Sequence, residues 1–260
     1  QSILSDSTIL RDHNDCNRVQ DPYSFRCIPQ VHGAVQESLQ NLMNTIAIEL
    51  NSATDNPLIF PDVVNPGSHE VVSQGNFHAE VLGLVSDAMS LGLFELSSIS
   101  ERRIDQMLDP SRRALHPFLA NNAGLESGLM IVQYVAAASL GELHGHSTPR
   151  SAFSTTTSAG QEDHVSMAAT ASWNLLQSID RCSEVLACES FVAHRALKRI
   201  DKPSSTCIQS MIRCMDYIIE DGFDDRSTSL EIIALAKELT NSKWLSIIQS
   251  SMNSTIHKSL

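Results

Sequence analysis

A phenol and a guanidinium stand three residues apart between two prolines near the start of the chain. Tyr23 and Arg26 are preceded by Pro22 and followed by Pro29. Because proline fixes the backbone φ angle, a stiff backbone holds the spacing of the two side chains. A phenol donates or accepts a proton, and a guanidinium is a rigid fork suited to a carboxylate. The pattern indicates a site for a small carboxylate-bearing molecule, although a surface turn with an exposed arginine would look the same.

A second group of chemically useful side chains is Glu162, Asp163 and His164. A carboxylate in a dry cleft can act as a general base or bind an ammonium group. Carboxylates are also favoured in the first turn of a helix by the helix dipole. Both interpretations are open on the pattern alone, and a lone helical histidine is more often structural than catalytic.

A third group lies at residues 74–78, where a glycine turn leads into an apolar helical pattern. Asn76 is the expected N-cap of that helix. His78, His144 and His146 have no partner at the spacing of a zinc protease or zinc finger. The sequence therefore predicts no metal site.

Composition limits the classes of protein to consider. An apolar content of 42% with 18% charged residues is that of a globular chain, and the net charge of −12 argues against a nucleic-acid partner. The six cysteines form no CxxC pair, so we expect reduced thiols and a cytoplasmic protein. No apolar run approaches the roughly 18 residues of a membrane span. Since the chain starts at Gln1 without a targeting signal, we expect a piece of something longer.

Helical periodicity dominates the chain, and no useful β-alternation is found. Arg102 and Arg103 suit the end of the second long helix, and Ser158 with Gln161 could form a capping box that opens the longest one. We predict an all-α fold with long central helices in a bundle or superhelix, divided into a core at 1–200 and a helical tail at 201–260. Helices are predicted at about 32–51, 77–108, 125–143, 161–200, 204–220, 227–240 and 242–256.

Three segments together resemble the aromatic amino acid ammonia-lyases, and among them the histidine ammonia-lyases. They are residues 19–27, 75–80 and 161–167, and residues 49–58, 101–104 and 122–130 are similar to further family segments. The order and rough spacing of the segments match as well. The resemblance covers about residues 16–193, and the tail beyond Arg195 is less typical.

The resemblance implies an all-α homotetramer whose active sites are built from several subunits. The family eliminates ammonia from an α-amino acid, and histidine gives urocanate. Its electrophile is a methylidene-imidazolone (MIO) group formed from an internal Ala-Ser-Gly, a tripeptide that this chain lacks. Ser158-Ala159-Gly160 stands in a different context. The resemblance thus implies that the electrophile forms in a segment before this chain, and that this chain alone is inactive.

Family roles carry over to five matching positions. The resemblance implies that Arg26 holds the substrate carboxylate, that Tyr23 is an acid/base or orienting phenol, and that Gln20 supports the same pocket. It implies that Phe77 packs near the electrophile. Glu162 would contact the imidazole or amino group and assist proton removal. No metal is implied.

Substrate choice depends on residue 162. Phenylalanine and tyrosine lyases resemble this chain but carry an amide here, whereas a carboxylate suits an ionisable imidazole. Ser147-Thr148-Pro149 is instead similar to aryl-lyase or aminomutase relatives. The alternatives are a phenylalanine or tyrosine ammonia-lyase or aminomutase, and a non-catalytic helical oligomerisation module. The implied partners are an amino acid substrate and either identical subunits or a complementary N-terminal chain.

Overall fold

Helices make up most of the computed structural model, which describes residues 2–13, 19–112, 115–241, 246 and 249–250. The all-α prediction is confirmed. Short 3₁₀ turns at Ser2–Leu4, Pro117–Leu119 and Ser158–Gly160 accompany the helices. The α-helices are α1 (Thr8–His13), α2 (Tyr23–Arg26), α3 (Ile28–Glu49), α4 (Glu80–Leu108), α5 (Met130–His146), α6 (Ala168–Lys198), α7 (Thr206–Met215) and α8 (Ser229–Leu239).

Helix α3 begins four residues before its predicted start, and Pro29 lies in its first turn, where a missing N–H costs nothing. Helix α4 ends at Leu108, its predicted last residue, just before Asp109-Pro110, because a proline cannot continue a helix. The predicted segment at 242–256 lies almost entirely outside the described residues. The sequence thus predicts the existence of the long helices better than their first residues.

The longest helix starts later than predicted. Helix α6 begins at Ala168, so Ser158 and Gln161 form no capping box for it. Ala159 and Met167 have φ angles of 54° and 51°, in the left-handed region, which interrupt a helix. The interpretation of Glu162 and Asp163 as first-turn carboxylates is therefore wrong.

Helix α4 also starts late, at Glu80. Ala79 has a φ angle of 61°, which separates the helix from the preceding loop. Asn76 is not the cap of this helix, because its side-chain amide donates to the carbonyl of Ala53 at 3.0 Å. The amide instead ties two loop segments to each other.

A β-hairpin lies between helices α3 and α4, where the sequence shows no β-alternation. Strands β1 (Leu58–Pro61) and β2 (His69–Val72) pair antiparallel, with Leu58 opposite Val72. Most of their side chains are exposed, so no buried face imposes the alternation by which a strand is recognised. The expectation of no β-structure is wrong at this hairpin.

The chain divides into two compact units. One comprises Gln1–Pro29, Leu96–Glu142 and Asp180–Leu260, and the other comprises Gln30–Glu95 and Leu143–Ile179. We call them the first and the second unit. The predicted division into a core at 1–200 and a tail at 201–260 stays a prediction. Buried apolar side chains form the core of each unit: Ile104, Leu108, Val185, Phe191 and Leu235 in the first, and Val35, Leu42, Val85, Met89 and Ala171 in the second.

Helix α4 is long and apolar enough to cross a membrane by length and composition alone. Its most apolar 18-residue window has a mean hydropathy of 1.3, and 44% of that window is buried within the protein. The expectation that no apolar stretch approaches a membrane-spanning length is therefore wrong for this helix. A core helix of a globular protein passes the same test, so α4 is weak evidence for a membrane.

Five cysteines are free in the part of the chain that the structure describes, and Cys16 lies outside it. Cys182 and Cys188 are buried in α6. Burial raises the pKa of the Cys188 thiol to about 12 and also raises the pKa of Cys182. These two thiols are therefore inert at neutral pH.

Candidate functional site

Tyr23 and Arg26 lie together on the single turn of helix α2, in the first unit. Pro22 precedes the turn, and its carbonyl accepts hydrogen bonds from the backbone N–H groups of Phe25 and Arg26 at 3.0 and 3.1 Å. The guanidinium carbon of Arg26 lies 4.5 Å from the centroid of the Tyr23 ring, a cation–π contact. Tyr23 is 69% exposed. Among the described residues no carboxylate pairs with Arg26, so its N–H fork remains able to bind one.

An ion pair between buried Arg103 and part-buried Glu189 holds this turn within the first unit. Arg103 donates two hydrogen bonds to Glu189, and its Nη1 donates to the carbonyl of Ser24 at 3.4 Å. The Arg103 side chain is 8% exposed, and Ser100 donates to Glu189 at 2.5 Å. Because the carbonyl of Ser24 lies inside α2, the pair positions the turn that carries Tyr23 and Arg26.

The sequence pattern assigns Arg103 to the helix dipole and does not single out Glu189. A usable signal exists, since Arg103 follows buried Ile99 by four residues and therefore shares its face of the helix. A charged side chain on an apolar face requires a buried partner. Identifying Glu189 as that partner requires the fold.

Gln20 is exposed in the first unit and precedes Pro22 by two residues. It makes no hydrogen bond to Tyr23 or Arg26 in the described part of the chain. Its supporting role in the pocket therefore stays a prediction.

Phe77 borders an apolar cleft of about 460 Å³ in the second unit. Its side chain is 50% exposed, so one part of the ring faces the opening. The polar groups of the cleft include Asn76, Ser86 and Ser172. The rest of the wall is mostly aliphatic and includes Leu42, Ile46, Leu50, Leu82 and Leu175. Such a cleft suits an aromatic or apolar group.

Glu162 lies in an exposed loop of the second unit. The backbone N–H of Thr157 donates to the Glu162 carbonyl at 2.9 Å, which closes the loop. Hydrogen bonds from the Thr157 and Ser158 hydroxyls hold the pKa of the Glu162 carboxyl below its usual range. The side chain is therefore a carboxylate at neutral pH and can bind a cation or accept a proton.

Two histidines join the segments that carry Phe77 and Glu162. His78 Nε2 lies 3.1 Å from the carbonyl oxygen of His164 and 3.2 Å from the Nδ1 atom of His164. The two imidazole rings are stacked, with centroids 5.3 Å apart and planes 16° apart. The structure thus brings together two segments whose sequence separation gives no sign of contact.

Close packing against helix α4 holds the Glu162 segment in place. A Cβ added at Gly83 would lie 3.2 Å from the carbonyl oxygen of Ser166, so only a glycine allows this approach without adjustment. The buried carboxylate of Asp87 accepts from the Ser151 N–H at 2.7 Å. Helix and loop therefore form one support within the second unit.

The family model for aromatic amino acid lyases matches residues 1–216. The chain belongs to this family. Over 197 residues it is 45% identical to a histidine ammonia-lyase of Stigmatella aurantiaca, covering 76% of this chain and 38% of that protein. The recognition of the family from sequence is confirmed, and the family is of the MIO-dependent type that acts on amino acids.

Solved structures of family members have the same fold. The crystal structure of histidine ammonia-lyase from Trypanosoma cruzi superimposes with a TM-score of 0.83 at 34% identity, covering 89% of this chain and 45% of that one. Phenylalanine aminomutase of Pantoea agglomerans gives a TM-score of 0.79 at 29% identity, covering 90% and 48%. The chain therefore spans less than half the length of each of these relatives.

The residues present do not include the precursor of the prosthetic group. Ala-Ser-Gly is absent from the sequence, and Ser158-Ala159-Gly160 forms an exposed turn with left-handed backbone at all three residues. The Ser158 hydroxyl donates a hydrogen bond to the Glu162 carboxylate, so this turn helps to hold Glu162. The exposed rings of Tyr23 and Phe77 offer surfaces against which a group from elsewhere in the protein can pack.

Proposed function

We propose that this chain is the C-terminal portion of a histidine ammonia-lyase, which eliminates ammonia from L-histidine to give urocanate. The observation that carries the proposal is Glu162, held as a carboxylate by two hydroxyls at a position where phenylalanine and tyrosine lyases have an amide. A carboxylate can accept a hydrogen bond from an imidazole or pair with an ammonium group, whereas a phenyl ring offers it neither a donor nor a charge. The 45% identity to a histidine ammonia-lyase supports the same substrate.

The side chains divide the work of binding and proton transfer. Arg26 binds the substrate carboxylate through its two-pronged N–H fork. Tyr23, held against that guanidinium, orients the substrate or moves a proton. Glu162 binds the amino group or imidazole and assists removal of the weakly acidic β-proton. Phe77 packs against the reacting groups, and Gln20 supports the pocket by hydrogen bonds.

The MIO group, when present, supplies the electrophile that makes the amine a leaving group. In this proposal it forms in a segment outside residues 1–260, so the chain alone is inactive. The native enzyme is a cytoplasmic homotetramer or pairs with a complementary N-terminal chain. Support for assembly comes from exposed apolar side chains on α3, which a partner surface would cover: Leu39, Met43, Ile46 and Ile48.

Product identification tests the proposal. The native protein that contains this chain is incubated separately with L-histidine, L-phenylalanine and L-tyrosine, and the products are separated by chromatography. Urocanate from histidine, with no product from the other two, is the expected result. Cinnamate, coumarate or a β-amino acid would show an aryl lyase or aminomutase, which the likeness to the Pantoea agglomerans enzyme and Ser147-Thr148-Pro149 favour. A stable helical assembly without any turnover would show a non-catalytic module.

A further inference from the structure

We propose that His78, Glu80 and His164 form a binding site for a divalent transition-metal ion of the Zn²⁺ type. One ligand atom from each of the three side chains lies within 4.8 Å of the other two. All three residues belong to the second unit. The proposal does not rest on the lyase function, because it concerns only the donor atoms and their geometry.

His78 already has the environment of a metal-bound imidazole. Its Nδ1 faces the Glu80 carboxylate at 3.7 Å, while its Nε2 lies 3.1 Å from the carbonyl oxygen of His164. A ligating histidine characteristically donates its second N–H to a carbonyl or carboxylate, which fixes the tautomer and orients the ring. In the tautomer whose Nε2 donates to this carbonyl, the lone pair of Nδ1 points towards Glu80 and can bind a metal ion.

A metal ion between His78 and Glu80 would give both groups a partner. The Oε2 atom of Glu80 is buried and accepts no hydrogen bond from any described residue. A buried carboxylate oxygen that faces an imidazole lone pair is repelled by it, whereas a metal ion or a second proton on the ring satisfies both. Glu80 is also the first residue of α4, so the backbone fixes its position.

The donor set selects the class of metal. Two imidazoles and one carboxylate suit Zn²⁺ and its first-row neighbours, whereas Mg²⁺ and Ca²⁺ prefer oxygen ligands alone. In tetrahedral coordination, ligand atoms about 2.1 Å from a zinc ion stand about 3.4 Å apart, so a pair separated by the full 4.8 Å must close by about 1.4 Å. His78 and His164 both lie in loops, where such a movement is small. The exposed side of the cluster leaves a coordination position for water.

Zinc binding by the native protein tests the site. After removal of metals with a chelator, the protein is titrated with Zn²⁺ by calorimetry, and bound zinc is measured by mass spectrometry. One Zn²⁺ per chain is expected, with no displacement by excess Mg²⁺. Glu80→Gln and His164→Ala should each weaken binding at least about tenfold. His69→Ala removes an exposed histidine of β2 outside the cluster and should bind as the unmodified protein does.

Two outcomes would overturn the proposal. One is a native protein that binds no Zn²⁺, or that loses its Zn²⁺ equally in the His69→Ala variant. The other is unchanged binding in both cluster variants. Glu80→Gln keeps the size of the side chain, so the variant should fold as the native protein does. An unchanged circular dichroism spectrum would show that weaker zinc binding reflects a lost ligand and not a lost fold. Loss of zinc with intact urocanate formation would separate this site from the lyase function.

Discussion

Glu162 connects proton removal with the choice of substrate in the proposed mechanism. Replacing it by glutamine keeps the shape but removes the negative charge, so the proposed site loses the carboxylate that assists proton removal. We expect Glu162→Gln in the native protein to lower kcat for histidine by roughly 10²- to 10⁴-fold. Steady-state kinetics measures the effect, and Glu70→Gln on exposed β2 is the matched control. If the Glu162→Gln variant turned over histidine as fast as the native protein, Glu162 would not be the residue that assists proton removal.

Asp62 provides a test of local geometry by pH. Its carboxylate accepts hydrogen bonds from the Asn65 side chain and from the backbone N–H groups of Val64 and Asn65, which lower its pKa from 3.8 to about 2. Since the folded pKa is depressed, the stabilisation of the hairpin turn is present above the ordinary pKa and is lost as pH falls through about 2. An NMR titration of the Asp62 carboxyl should show this low midpoint. A midpoint near 3.8 would contradict the turn geometry.

The connection between helices α4, α6 and α2 depends on the buried Arg103–Glu189 pair. Removing one partner of a buried pair leaves an uncompensated charge, so Arg103→Ala should lower the free energy of unfolding by about 3–5 kcal/mol. Chemical denaturation of the native protein measures this change. Arg112→Ala, which removes an exposed arginine near the end of α4, should have a much smaller effect. Equal effects of the two variants would show that the Arg103 pair does not anchor α2.

The start of helix α5 depends on a glycine. Gly128 has a φ angle of +55°, and an added Cβ would lie 2.5 Å from the carbonyl oxygen of Phe118. Gly128→Ala should therefore destabilise the protein by about 1–3 kcal/mol. Gly141, inside the same helix, has open space around it, and Gly141→Ala should be neutral or stabilising by up to about 1 kcal/mol. Thermal unfolding distinguishes the two, and a stabilised Gly128→Ala variant would contradict the backbone described here.

Features of the fold that depend on residues close together in the chain can be predicted from the sequence, whereas features that depend on tertiary contacts cannot. Periodicity is local, so the long helices and the end of α4 at Asp109-Pro110 are predictable. The starts of α4 and α6 are not, because left-handed backbone at Ala79 and Met167 depends on tertiary contacts of the preceding loops. The motif residues of the site are recognisable for a different reason, since their types and order resemble family segments.

Partners far apart in the chain are what sequence patterns cannot supply. His78 and His164 are 86 residues apart, and so are Arg103 and Glu189. The expectation of no metal site rests on local histidine spacing, which carries no information about side chains that the fold brings together, such as His78, Glu80 and His164. Likewise, the sequence gives the types of Tyr23 and Arg26 but not their stacking.

At the scale of the whole molecule, the proposal gives this chain the binding and proton-transfer groups of an enzyme that is longer than the chain. The chain covers 38% of the Stigmatella aurantiaca protein and 45% of the Trypanosoma cruzi structure. In the proposed enzyme the electrophile comes from the remainder. Catalysis therefore requires both parts, since a base without an activated leaving group cannot eliminate ammonia at a useful rate.

The most direct test of this claim is urocanate formation, followed by ultraviolet absorbance, by the native protein and by residues 1–260 alone. The native protein, or the chain mixed with an N-terminal polypeptide that contains Ala-Ser-Gly, should convert L-histidine to urocanate, and the chain alone should form none. Urocanate formation by residues 1–260 alone would contradict the proposed division of the site, and a native protein that leaves histidine unchanged would contradict the proposed function.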